Sequence, residues 1–148
     1  MNYRVLLVCM GNICRSPTAE GVLRKYIKNN NLGDLVEVDS AGTHGYHVGE
    51  PPDPRTQRAA LARGYNLSEL RARKVAMQDI DYFDLILAMD KSNLDNLRHL
   101  APPDPHERIK LLKCGIFESL TPCSNLLSHT AEYQPVYSLI SVVCTWEL

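Results

Sequence analysis

No apolar run in this 148-residue chain approaches the roughly 20 residues that a membrane-spanning helix needs. Neither sign of charge dominates. Sixteen Lys and Arg stand against seventeen Asp and Glu, for a net charge of −1. That balance gives no global pull toward nucleic acid or an anionic membrane, so neither is an expected partner. The G-x-x-x-x-G-K-[ST] and G-x-S-x-G patterns are both missing, which argues against a nucleotide-triphosphatase loop and a serine-hydrolase elbow. The opening MNYRVLLVCMGN does not read as a signal peptide, because its apolar stretch is short and runs straight into Gly-Asn and Arg. Five cysteines is an odd number, and two of them flank a loop ending in Arg15. That suits a reducing cytoplasm better than a disulfide framework.

Strand and helix patterns alternate. Tyr3 to Val8 reads as a short buried strand. A Gly-containing turn follows, then a helix with Pro17 in its first position and Ser16 as its expected cap. Ala19, Val22, Leu23, Tyr26 and Ile27 make one apolar helical face. Leu35 to Ser40 reads as a second strand. After a long loop, Asp53 caps a helix with Pro54 in its first turn, running to about Arg63. Phe83 to Asp90 is a third strand, KSNLDNLRHL a helix, and Arg108 to Leu112 a fourth strand. The expected fold is α/β: a parallel, Rossmann-like sheet with helices on both faces. Ligands in such sheets sit at the carboxyl ends of strands, where strand order switches, and the segment from Cys9 to Arg15 follows the carboxyl end of the first strand.

The segment VCMGNICRSPTAEG carries the chemistry. Cys9 and Arg15 form C-x5-R. A loop of that length can curl its backbone N–H groups inward as an anion nest. Gly11 and Asn12 tolerate the positive φ such a curl needs. The helix beginning near Pro17 aims its positive end at the same place. Arg15 offers a planar fork for two phosphate oxygens. Cys9 would face the phosphorus as a thiolate, with Ser16 donating to its sulfur. The pattern predicts attack of sulfur on a bound phosphate monoester. A zinc site can be assembled on paper from Cys9, Cys14, His44 and His47, but Arg15 opposes a cation there and the two pairs are about 30 residues apart. No metal and no organic cofactor is expected. Two buried structural cysteines beside a helix would leave Gly11, Asn12, Arg15 and Ser16 unexplained together.

VCMGNICRSPTAEG resembles the signature of low-molecular-weight protein tyrosine phosphatases. VDSAGT (38–43), PPDPR (51–55), LRARKV (70–75) and FDLILAMDKSN (83–93) resemble the same family in the same order. The resemblance implies hydrolysis of phosphotyrosine proteins through a phosphocysteine. It implies that Cys9 is the nucleophile, that Arg15 clamps the phosphate, and that Met10, Gly11, Asn12, Ile13 and Cys14 supply backbone donors. It further implies that Cys14 can capture an oxidised Cys9 as a disulfide. The same resemblance implies that Ser40 pairs with Asn12 to hold the loop and that Tyr46 stands on the rim, where it would stack on an aromatic substrate. Arsenate reduction is the alternative activity, although ILAMDKSN lacks the cysteine expected near the third strand. A phosphate- or phosphopeptide-binding protein without turnover is the alternative outside enzymes.

The C-terminal part departs from this family. Members carry D-P-Y, or a similar run, after the fourth strand, and its Asp is the general acid. Here no aspartate follows Asp104. Residues 113–148 hold only Lys113, Glu118, Glu132 and Glu147 as charges, 4 in 36 residues against 29 in the preceding 112. Residues 1–112 are therefore expected to form the phosphatase core and 113–148 an atypical tail of the same single domain. A frameshift near Lys113 and a divergent native ending both account for it.

Overall fold

The computed structural model describes residues 2–102 and 107–112. The tail at 113–148, Asp104 and the alternative acids Glu118 and Glu132 lie outside the described residues. Four strands form one sheet: β1 (Tyr3–Cys9), β2 (Val36–Gly42), β3 (Leu85–Ala88) and β4 (Ile109–Leu111). Their spatial order is β2-β1-β3-β4 and all pairings are parallel. The chain thus leaves β1 toward β2 on one side and later returns to β3 on the other. This is the switch point where open α/β sheets bind ligands.

Parallel strands are buried on both faces, so alternate residues of one strand feed two cores. Val5 and Leu7 of β1 pack on one face with Ala19, Leu23 and Ile27 of α1 (Arg15–Asn29). Leu6 and Val8 point the other way. They pack with Ile80 of α3 (Met77–Tyr82) and with Leu94 and Leu97 of α4 (Lys91–Leu100). The expected two-faced α/β architecture is therefore present. Helix α2 (Pro54–Ala62) begins as the sequence indicates: the Asp53 carboxylate accepts from the amides of Arg55 and Thr56. Helix α3 has only six residues, too few to show helical periodicity in sequence. It is set by Asp79, whose carboxylate accepts from the Ala76 amide at 2.8 Å. No helix among the described residues is long and apolar enough to cross a membrane.

Candidate active site

Residues 9–15 wrap around the end of β1 and are tied down on three sides. Thr43 and His44 donate from their backbone to the carbonyls of Cys9 and Met10. The amide of Asp53 donates to the carbonyl of Ile13 at 2.8 Å, which anchors α2 to the loop. Helix α1 then starts at Arg15, with Cys14 at its N-cap position. Ser16 is therefore not the cap. It lies inside the first turn, fully buried, and its hydroxyl is used elsewhere.

That use centres on Cys9, which is buried with a free thiol. Its Sγ receives the amide N–H of Asn12 at 3.2 Å and stands 3.0 Å from Ser16 Oγ. The backbone donation depends on Asn12 adopting φ = 56°, in the left-handed region. Among the described residues of the loop only Asn12 has positive φ; Gly11 does not. Gly11 is needed for space instead. A Cβ there would lie 3.2 Å from the ring of His47, which covers that side of the loop. Gly42 is tighter still: a Cβ would meet the Met10 carbonyl oxygen at 2.6 Å and the Asn12 nitrogen at 3.2 Å.

The Asn12 side chain is buried and fully used. Its Nδ2 donates to Ser16 Oγ at 2.8 Å and to Ser40 Oγ at 2.9 Å, while Oδ1 accepts the Arg73 amide at 2.9 Å. Arg73 is in turn fixed by ion pairs to Asp39 at 2.8 Å and Asp79 at 2.9 Å. The structure thus brings Cys9, Asn12, Ser16 and Ser40 into one hydrogen-bonded cluster.

Arg15 stands at the mouth, half-exposed, with its guanidinium 2.7 Å from Asp90 Oδ2. Asp90 is the N-cap of α4 and also accepts the Asn93 amide. Partial burial would raise its carboxyl, but the bonds from Asn93 and Arg15 outweigh that and hold it below the usual carboxylate value. Met10 is 46% exposed and Tyr46 74% exposed, so both offer apolar surface beside the loop. Tyr46 stacks on His44 at 5.3 Å between ring centroids. Cys14 is partly exposed with a free thiol; its carbonyl accepts from Thr18. His44 and His47, paired with Cys9 and Cys14 in the zinc reading, are engaged otherwise: His44 Nδ1 with Thr43 Oγ1 and His47 Nδ1 with Glu50 Oε2 at 2.7 Å.

Sequence reasoning missed Asp90, Arg73, Glu20 and Gly42. Asp90 and Gly42 had a legible signal, since Gly42 ends β2 and Asp90 follows β3 at the same edge of the sheet as Cys9. The other two act through contacts 20 or more residues away along the chain.

The chain is similar to known proteins over most of its length. A family model described as low molecular weight phosphotyrosine protein phosphatase matches residues 4–120. A low molecular weight protein-tyrosine-phosphatase of Streptomyces coelicolor is 46% identical over 114 residues, covering 76% of this chain and 69% of that protein. The low molecular weight protein-tyrosine-phosphatase YfkJ of Bacillus subtilis is 37% identical over 140 residues, 95% of this chain and 90% of its own. The crystal structure of YfkJ superposes with a TM-score of 0.76 at 36% identity, covering 97% of this chain and 91% of that one. The Drosophila arginine phosphatase structure gives 0.70 at 34% identity, with 95% and 92% covered. The motif, the switch-point loop and these matches agree, and the chain belongs to the low molecular weight phosphotyrosine protein phosphatase family.

Proposed function

We propose that this protein hydrolyses phosphotyrosine in proteins, with Cys9 as nucleophile and a phosphocysteine as intermediate. One observation carries the reading: the Cys9 sulfur lies at the base of a strand-to-helix loop with two hydrogen-bond contacts, from Asn12 N at 3.2 Å and Ser16 Oγ at 3.0 Å. Donors aimed at sulfur stabilise negative charge on it and hold it in one position for attack. In the first step the sulfur bonds to phosphorus and the bond from phosphorus to the tyrosine oxygen breaks. The electron pair leaves with that oxygen, which takes up a proton. Arg15 leaves Asp90 and presents its fork to the equatorial phosphate oxygens, whose charge spreads in the transition state. The amides of the loop from Met10 to Cys14 and the first turn of α1 face the same anion. Water then attacks the phosphorus, the sulfur–phosphorus bond breaks, and inorganic phosphate leaves. Tyr46 and Met10 supply the apolar rim for the phenyl ring. No step requires a metal or an organic cofactor.

Ile13 favours tyrosine phosphate over arginine phosphate by resemblance, since arginine-phosphate phosphatases of this fold typically carry Thr at that position. The chain's ending sets a limit on rate. With no aspartate after Asp104, departure of the tyrosine oxygen lacks the family's acid, and turnover is impaired at that step.

Cys9→Ser tests the assignment. The variant should lose turnover of p-nitrophenyl phosphate and keep vanadate binding, because the loop and Arg15 remain. Turnover equal to the parent's refutes Cys9 as nucleophile. A parent chain that binds vanadate and turns over nothing supports the binding-protein reading, and arsenate-dependent oxidation of thioredoxin supports the reductase reading.

A further inference from the structure

Among the described residues, Glu20 is the only charged side chain in the buried interior, at 2% exposure, and the mechanism above gives it no task. It sits one helical turn after Ser16 on α1, facing β2. Its Oε2 accepts from Ser40 Oγ at 2.5 Å. Its Oε1 lies 2.6 Å from an Arg24 nitrogen, in an ion pair that lacks hydrogen-bond alignment.

Counting protons fixes the direction of the bonds from Glu20 as far as Ser16, and the shorter contact favours the sulfur at the last link. The Arg73 amide can only donate, so it takes Asn12 Oδ1 and leaves Nδ2 facing Ser16 and Ser40 as donor to both. Ser40 has one proton. With Asn12 donating to its oxygen, that proton goes to Glu20. Ser16 likewise receives from Asn12 and has one proton left. Cys9 Sγ at 3.0 Å is a well-placed acceptor for it, and the competing Ala41 carbonyl is farther, at 3.4 Å. We propose that Glu20 is a positioning residue for the Cys9 sulfur: its buried carboxylate anchors the Ser40 hydroxyl, which steadies the Asn12 amide and through it turns the Ser16 proton onto Cys9.

An acceptor at Glu20 gives the Ser40 proton a partner: with Asn12 donating to the Ser40 oxygen, Glu20 Oε2 is the acceptor in reach of that hydroxyl. Two charges face the group besides its own turn of helix: Arg24 on α1 and Asp39 on β2, the latter paired with Arg73. Burial pushes the Glu20 carboxyl up, against the Ser40 bond and Arg24.

The inference rests on Cys9 being the nucleophile, and its test separates the two. The full chain and its Glu20→Gln, Glu20→Leu, Ser40→Ala and double variants are compared by thermal unfolding, by iodoacetate alkylation followed on the Cys9 peptide, and by p-nitrophenyl phosphate turnover. Alkylation at pH 6 should slow about threefold in Glu20→Gln and about tenfold in Glu20→Leu, the range set by weakening a hydrogen bond to a charged group. The alkylation profile should move to higher pH, and kcat should fall with KM little changed. Because Glu20 acts through Ser40, the Glu20→Gln/Ser40→Ala pair should be no slower than Ser40→Ala alone. Folded variants that alkylate at the parent rate, or Glu20 and Ser40 effects that multiply independently, overturn the proposal. If Glu20→Leu does not fold, the Glu20→Gln cycle alone decides. A Cys9→Ser variant that keeps turnover overturns the nucleophile instead.

Discussion

Replacing Asn12 separates two roles that one residue fills. Its side chain makes three buried hydrogen bonds, to Ser16, Ser40 and the Arg73 amide. Its backbone sits at φ = 56°. Asn12→Ala loses all three bonds, at about 1 kcal/mol each, so about 3 kcal/mol. Alanine also pays about 1 kcal/mol more than Asn to stay left-handed. The expected destabilisation is about 4 kcal/mol, a large share of a small domain's total of about 5–15 kcal/mol. Asn12→Gly loses the same bonds without the steric cost at positive φ, so it should be about 1 kcal/mol less destabilised than Asn12→Ala. Asn12→Asp keeps left-handed tolerance and the acceptor for Arg73, but turns an acceptor toward Ser16 and Ser40 and adds negative charge beside the sulfur. It should retain more stability than Asn12→Ala and lose vanadate binding.

Urea unfolding followed by circular dichroism at 222 nm gives the stabilities, and fluorescence titration gives vanadate affinity. Loss of less than about 1 kcal/mol in both Asn12→Ala and Asn12→Gly would refute the claim that this cluster holds the loop. Equal stability of the two would refute the left-handed cost.

Arg15→Lys should weaken vanadate binding at least tenfold, because a point charge replaces a bidentate fork; titration at fixed ionic strength checks it. Gly42→Ala puts a methyl 2.6 Å from the Met10 carbonyl, so it should cost about 1–3 kcal/mol and weaken vanadate binding, since the strain falls on the loop itself. Acid should loosen α2. The Asp53 carboxyl is lowered to about 2, chiefly by its hydrogen bond from Arg55, then by the amide bonds. A depressed acid contributes stability that is present above its unfolded pKa of 3.8 and lost as pH falls through about 2. Melting between pH 5 and pH 2 should fall less steeply in Asp53→Asn, which keeps the cap without the titration.

Much of this site was legible because its signals are local. A strand, then a cysteine, five residues and an arginine, and a proline in the first turn of a helix all lie within Tyr3 to Pro17, although the helix begins at Arg15 and Pro17 is its third residue, not its first. Helix α2 was legible from its cap, Asp53, with Pro54 behind it, and α4 from the run KSNLDNLRHL, whereas its cap Asp90 reads as the end of the third strand and is recognised only in the structure. The legible part fails where contact replaces pattern. Ser16 reads as a helix cap, since a serine before a proline has that meaning in isolation; burial against Cys9 and Asn12 gives it a different partner. Gly11 reads as the flexible glycine of the curl, whereas the left-handed residue is Asn12 and Gly11 makes room for His47. Arg73 supports the loop by a backbone amide 61 residues from Asn12, and no spacing rule marks an amide.

The sharpest consequence concerns the leaving group. General acid catalysis supplies about 10² to 10⁴-fold in rate, and its value rises with the basicity of the departing oxygen. A tyrosine oxygen, with a pKa of about 10, needs the proton as its bond to phosphorus breaks. A nitrophenolate is far less basic and departs nearly unaided. On the function proposed above, the groups that would hold the phosphate and sulfur, Asn12, Arg15, Ser16 and Ser40, all lie before residue 41, so an ending without the acid would leave binding and attack in place. This chain should therefore hydrolyse p-nitrophenyl phosphate weakly and phosphotyrosine peptides more weakly still. Replacing 113–148 by an ending that contains D-P-Y should raise kcat/KM for the peptide by about 10² or more and change the nitrophenyl ester far less. Rapid quench should also show phosphocysteine persisting longer in the chain as it stands, because water attack lacks its base. Equal peptide turnover by the two chains refutes the argument. So does loss of most activity in Glu118→Gln or Glu132→Gln, since that would place a working acid in the tail.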